Sequence, residues 1–143
     1  MSTQKQEVEE LMNSLLPLAK KMLAEAGEFY PYGGYIDQNG RITHVSGRIE
    51  GTDYPKSKPI IDLLTRNFQQ GAKDKKLKAT AVIFDVRIRP PGEDNKTDAI
   101  QVCLDHQGGY SAKVLFPYTI KNGEVLFGNT FAHKGDGEIF GQK

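Results

Sequence analysis

The chain has one cysteine, almost no net charge and no long apolar run, and each shortage excludes a class of protein. Cys103 has no second thiol to pair with, which excludes an internal disulfide. The 19 basic and 18 acidic residues leave a formal charge of +1, so no global field attracts nucleic acid or an acidic membrane. Lys20, Lys21 and Glu25 interrupt the best candidate for a membrane span, which needs roughly 20 apolar residues. We therefore expect no nucleic-acid partner and no membrane partner.

A secretory signal is also missing from the start of the chain. Met-Ser-Thr-Gln-Lys-Gln-Glu has neither the basic opening nor the apolar run of such a signal, which predicts a cytoplasmic protein. The 143 residues, of which 38% are hydrophobic, fall in the size range of one compact domain. We therefore predict a single domain over 1–143.

Sequence patterns typical of catalytic and cofactor sites are missing as well. His44, His106 and His133 lie far apart, and only His106 has an acidic neighbour, Asp105. Adjacent strand residues point to opposite faces, so this pair is not expected to chelate a metal, and the same geometry separates Cys103 from His106. The glycine pairs lack the sequence of a phosphate-binding loop and are interpreted as turns. We predict no metal, no cofactor and no catalytic residue, and the pattern favours a protein that is not an enzyme.

Two segments have the spacing of amphipathic helices. In the first, apolar side chains recur at i, i+3, i+4 and i+7, with acidic residues in the first half and lysines in the second, which predicts a helix over 3–26. We expect a kink at Pro17, which removes one backbone hydrogen bond. In the second, Ser57 can cap a helix that ends in a lysine-rich exit, and the pattern predicts a helix over 57–73.

Alternating apolar residues between turn formers are typical of antiparallel strands. Asn39-Gly40 predicts a hairpin over 33–46 with Ile36 opposite Ile42. A three-residue loop after His106 pairs Leu104 with Ala112. We expect further strands at 79–89, 97–106, 110–118 and 124–131, the last with Val125 and Phe127 in the core, and a tail over 132–143 that stays loose unless Ile139 and Phe140 dock.

This order of elements, α-ββ-α-ββββ, predicts an α+β fold. We expect a single antiparallel sheet of five to six strands with two helices packed on one face, an order that profilin-like domains share. One face of the sheet would carry the apolar side chains and lie under the helices. The other would stay wet, with these polar residues: Asp85, Arg87, Gln101, Cys103, Asp105, Ser111 and Lys113.

The most suggestive candidate site is an aromatic segment before the first hairpin, with four rings in seven residues: Phe29, Tyr30, Tyr32 and Tyr35. Rings with polar tips anchor protein interfaces, which makes this loop a candidate partner-binding surface. The alternative is that Phe29 and one or two of the tyrosines cap the open end of the core.

The polar face of the sheet offers a second candidate. Asp85, Asp105, Tyr110 and Lys113 would line a pocket for a small ligand or a substrate if they came together. Cross-strand pairing among polar neighbours explains the same residues without any site. Lys113 is expected opposite Cys103, where its charge would lower the pKa of the thiol.

Three short segments, Phe29-Tyr30-Pro31-Tyr32-Gly33, Lys96-Thr97-Asp98-Ala99-Ile100 and Phe116-Pro117-Tyr118, are similar to those of small bacterial proteins of uncharacterised function. The resemblance spans about residues 28 to 131 and implies no activity, cofactor or catalytic residue. Small α+β proteins of this kind include immunity partners of secreted toxins. The leading hypothesis is therefore a protein-binding or homo-oligomeric accessory domain, and the alternative is a small-ligand binder or enzyme that uses the polar face.

Overall fold

The computed structural model describes residues 3–46 and 57–141. It confirms the α+β class, with two helices and a single antiparallel sheet. The elements are α1 (Gln4–Ala26), β1 (Tyr32–Asp37), β2 (Ile42–Ser46), α2 (Ser57–Lys73), β3 (Leu77–Ile88), β4 (Thr97–His106), β5 (Ser111–Lys121), β6 (Glu124–Phe127) and β7 (Phe131–Lys134). The described residues form seven strands in the order β2-β1-β3-β4-β5-β6, and β7 pairs with β5 beside β6. The predicted strand 124–131 is thus two short strands, β6 and the start of β7.

The ends of α1 follow from local chemistry. The Thr3 hydroxyl accepts a hydrogen bond from the backbone N–H of Gln6, and the Gln6 side chain accepts one from the backbone N–H of Thr3, a reciprocal capping box. Gly27 ends the helix in the left-handed conformation, at φ +74°. The helix continues through Pro17 as one element.

The two hairpin registers that the turns predicted are confirmed. Ile36 lies opposite Ile42 across β1 and β2. Leu104 lies opposite Ala112 across β4 and β5, and Cys103 lies opposite Lys113. The residues of each turn therefore determine how its two strands pair, independently of how the helices pack.

The helices lie on opposite faces of the sheet, whereas the sequence pattern predicted both on one face. A Cβ atom added at Gly34 would meet Leu11 and Leu15 of α1, and one added at Gly33 would meet the ring of Phe68 of α2. Successive residues of a strand point to opposite faces. Each face of the sheet therefore has its own helix and its own apolar cluster.

The register of β3 explains how the two faces are divided. Ile83 lies opposite Val102, and Val82 lies opposite Cys103. Ile83 and Val102 belong to the cluster under α1, while Val82 and Cys103 belong to the cluster under α2. The face that carries Cys103 is thus partly covered by α2, and the prediction that this face stays wet is wrong.

The end of the chain packs against α2 as far as the structure describes it. Ile139 is buried in the α2 cluster, and Phe140 packs at its border. The side-chain amide of Gln69 donates to the carbonyl oxygen of Glu138 at 2.8 Å. The tail therefore docks through Ile139 and Phe140, the case in which it was not expected to stay loose. The last two residues of the predicted tail, 142–143, lie outside the described residues.

Candidate functional site

The aromatic segment is mostly core. Phe29 and Tyr32 are buried, and their ring centroids lie 6.0 Å apart in an edge-to-face contact. The Tyr32 hydroxyl donates to the backbone carbonyl of Leu15 in α1, and burial raises the pKa of Tyr32 to about 12. The partner-binding hypothesis, which needs exposed rings, is therefore wrong for both residues, and their burial agrees with the alternative that Phe29 and one or two of the tyrosines belong to the core.

The other two rings of this segment have different surroundings. Tyr35 is half-buried on the α2 side, with its ring centroid 6.3 Å from that of Phe68. Tyr30 is the exposed one. A single exposed ring makes a weak anchor, because interface affinity depends on clustered, well-packed aromatic residues.

Asp85 lies on the α1 side of the sheet, away from Cys103, Asp105 and Lys113. Its carboxylate accepts a hydrogen bond of 2.8 Å from the hydroxyl of Tyr118, a buried residue of the α1 cluster. Burial raises the pKa of Asp85, and this hydrogen bond opposes the rise. For Tyr118, burial and the neighbouring carboxylate both raise the pKa. The pair is a structural contact that satisfies the hydroxyl of a buried tyrosine and a half-buried carboxylate.

Asp105 and Lys113 come together in a groove between α2 and the sheet, whereas Asp85 and Tyr110 do not line it. Tyr110 packs against the α1 cluster, and its backbone N–H donates to the Gln4 side chain. The groove has a volume of about 470 Å³. Its polar lining consists of Lys58, Asp62, Thr65, Gln69, Gln101, Cys103, Asp105, Lys113, Asp136 and Glu138.

Asp105 is the most perturbed acid of this groove. It is 6% exposed, and its carboxylate accepts a hydrogen bond of 2.8 Å from the hydroxyl of Ser111. Burial raises the pKa of Asp105 to about 6 against the lowering effect of that hydrogen bond, and the nearby Glu138 and Asp136 add to the rise. This carboxyl can therefore take up or release a proton close to neutral pH.

Cys103 and Lys113 are cross-strand neighbours in the same groove. The Lys113 ammonium lies 2.7 Å from the Asp136 carboxylate, which raises the pKa of Lys113. Burial raises the pKa of the Cys103 thiol, and the lowering effects of Gln101 and Lys113 do not offset it. The expectation that Lys113 activates the thiol is therefore wrong, and Cys103 is a neutral, half-buried side chain.

The structure reveals exposed apolar side chains on β5 and β6 that no sequence pattern predicted. Ile120, Leu126 and Phe127 are 39%, 45% and 43% exposed, and they make up three of the five large apolar side chains exposed among the described residues. Val125 is buried as predicted, but Phe127 was predicted in the core and is not. The exposure was not predicted because the sequence of Glu124–Phe127 has the same pattern as a half-buried strand.

These three side chains border an open edge of the sheet, with Ile120 and Phe127 on its α1 side and Leu126 on the other. Over the described ranges, β6 and β7 pair only with β5, so their outer backbone groups have no strand beside them. We call the stretch from Glu124 to Lys134 the β6–β7 edge. An unprotected edge of this kind is a template for another strand.

An apolar hollow of about 510 Å³ adjoins the edge on the α1 side, between the helix and the sheet. Leu16, Pro17 and Phe116 line it together with Phe127. The Phe116 and Phe127 centroids lie 6.2 Å apart, and the Lys20 ammonium lies 6.0 Å from the Phe127 ring. The Phe127 ring thus contacts Phe116 and Lys20 on one side and is exposed on the other.

Other kinds of site find no support in the described part of the chain. Within residues 3–46 and 57–141, no group of three or more His, Cys, Asp or Glu side chains is placed to hold a metal ion. No helix in those ranges is long and apolar enough to cross a membrane. In comparisons with protein-family models, with curated proteins and with solved structures, nothing matches this chain.

Proposed function

We propose that this chain is a small cytoplasmic protein-binding module that docks its partner along the β6–β7 edge. The observation that carries the proposal is the exposure of Ile120, Leu126 and Phe127 beside an unpaired strand edge. Leu126 projects from one face of this edge, and Ile120 and Phe127 project from the other. An open edge accepts an extended segment through backbone hydrogen bonds, and the side chains of such a segment reach both faces. The proposed interface lies near the end of the chain and does not include the aromatic segment, most of which is core.

The energetics support docking by both side chains and backbone. Burying a Leu, Ile or Phe side chain completely is worth about 1.5–3 kcal/mol, so covering the exposed part of each of these three side chains contributes about 1 kcal/mol. Three such side chains give about 3 kcal/mol, which is too little for a stable complex by itself. The backbone hydrogen bonds of an added strand supply a second contribution and fix the direction of the partner.

Photo-crosslinking in cells tests this surface directly. A benzophenone amino acid placed at Leu126 should form adducts with a protein partner, because the side chain points away from the core. The matched control is the same group at Leu18, which is 43% exposed. Leu18 lies one turn of α1 after Ser14, whose hydroxyl contacts His44 of β2 at the other edge of the sheet. Adducts from both positions alike, or from neither, would contradict the proposal.

The groove beside α2 supports a second candidate function, the binding of a small polar ligand. The specific observation is that Asp105 and Lys113 converge on a space of about 470 Å³ while the pKa of Asp105 is raised to about 6. A thermal-shift screen with small amines and carboxylic acids tests it. Stabilisation should vanish in Asp105→Asn and persist in Tyr110→Phe, since Tyr110 does not line the groove. Equal shifts in both variants would exclude the groove.

A further inference from the structure

We infer that the partner on the β6–β7 edge is a second copy of this chain, aligned antiparallel about a two-fold axis. The inference rests on the proposed function and names its partner. It is carried by the order of charged and apolar side chains along the edge, which is complementary to its own reverse.

The ends of the edge carry opposite charge. Glu124 stands at the start, and His133 and Lys134 stand at the finish, all of them exposed. Among the described residues, neither Glu124 nor Lys134 makes an ion pair within the chain, so both charges remain available to a partner. A two-fold axis brings each Glu124 to the basic end of the other copy, so this contact forms twice in the dimer. A parallel alignment would instead set like charges together.

The apolar side chains agree with the same alignment. Leu126 lies opposite Thr119 and Phe131 lies opposite Leu115, and these two β5 residues are four positions apart. Leu126 and Phe131 therefore project from one face of the sheet. In the register that sets Leu126 opposite the other copy's Phe131, Glu124 lies opposite the other copy's His133. The reason is that two residues back along one antiparallel strand correspond to two residues forward along the other.

The backbone is compatible with this register. The N–H groups of Gly128 and Gly135 donate inward, to the carbonyls of Pro117 and Ser111 of β5. The backbone groups of successive strand residues point alternately to the two sides of the strand. Val125 lies three positions before Gly128 and Ala132 lies three positions before Gly135, so the backbone groups of both point outward. The register above places Val125 against the other copy's Ala132, and both residues then present backbone groups to each other.

Sedimentation velocity on the purified full chain at several concentrations, with a charge-reversal cycle, tests the inference. We expect a reversible dimer. His133→Glu alone should raise its dissociation constant about tenfold, because it sets a carboxylate against the other copy's Glu124 in two places. Glu124→Lys alone, which removes the acidic side of the same contact, should also raise it. The double variant should restore dimerisation. Glu10→Lys, the same charge change on the exposed side of α1, should leave it unchanged.

The outcomes separate this inference from the proposed function. A monomer at all concentrations, or a double variant as weak as the single ones, would overturn the second copy as partner. If Leu126 then crosslinks to a different protein in cells, the edge is still a docking surface and only its occupant was wrong. If Leu126 forms no adduct, both statements fail.

Discussion

The buried carboxyl of Asp105 makes a quantitative prediction about stability. Its pKa is about 6 in the folded protein, against 3.8 for an unperturbed Asp. Between about pH 4 and pH 6 the folded state holds a proton that the unfolded state has released, so the free energy of unfolding falls as the pH rises through this window. Each pKa unit corresponds to about 1.4 kcal/mol, so the charged carboxylate costs the folded state about 3 kcal/mol above pH 6.

Asp105→Asn should remove this cost while keeping an oxygen that accepts the hydrogen bond from Ser111. Relative to the parent chain, we expect the variant to gain up to about 3 kcal/mol in free energy of unfolding at about pH 8, and close to nothing at about pH 4. Urea unfolding at the two pH values measures both differences. Asp98→Asn is the control, because Asp98 is exposed in an ion pair with Arg87 and should change stability by less than about 1 kcal/mol.

Two results would refute this reasoning. If Asp105→Asn changed stability equally at both pH values, the carboxyl would not be the group that titrates. If it lowered stability at about pH 8, the Asp105 charge would be stabilised by its surroundings, contrary to the effect of burial.

Two further predictions concern the other candidate residues. Tyr32→Ala should lower the free energy of unfolding by about 3–5 kcal/mol, because Tyr32 is buried and bonded to α1, while Tyr30→Ala should change it by less than about 0.5 kcal/mol; equal effects in thermal unfolding would contradict the assignment of one ring to the core. Cys103 should react with a thiol reagent at neutral pH several-fold more slowly than the same residue in urea, because burial raises its pKa; a faster reaction in the folded protein would show an activated thiol.

The features that sequence predicts well here are set by neighbouring residues. The start of α1 follows from the side chain of Thr3, which caps the first turn, and its end follows from the left-handed backbone of Gly27. Both hairpin registers follow from turn residues. Ile36 against Ile42 needed only the loop between them. None of these features depends on where the second helix packs.

The division of the sheet into two faces depends on packing and was not predictable in the same way. In β3, Ala81 and Ile83 face α1 while Val82 and Phe84 face α2, so apolar side chains occupy both sides of the strand. A strand covered on both faces has no clear alternation. A long turn at 89–96 joins β3 to β4, so turn residues do not determine which residues of the two strands lie opposite each other. The predicted alternation of β3 was out of phase with that of β4, which placed Asp85 on the wrong face.

The candidate surfaces were missed for related reasons. Tyr32 looks like a surface residue because of its hydroxyl, yet the hydroxyl has a partner in the α1 backbone that sequence does not reveal. Leu126 and Phe127 look like core residues, and only the sheet order shows that nothing in the described chain covers their strand.

Amide hydrogen exchange along the β6–β7 edge tests the docking surface most directly. It is measured on the chain recovered with its partner, whether a second copy or another protein, and on the same sample carrying Leu126→Ser. We expect the outward amides of Val125 and Phe127 to be protected in the first sample and to exchange rapidly in the second, while the inward amide of Gly128 is unchanged. Equal exchange of the outward amides in both samples would contradict docking on this edge.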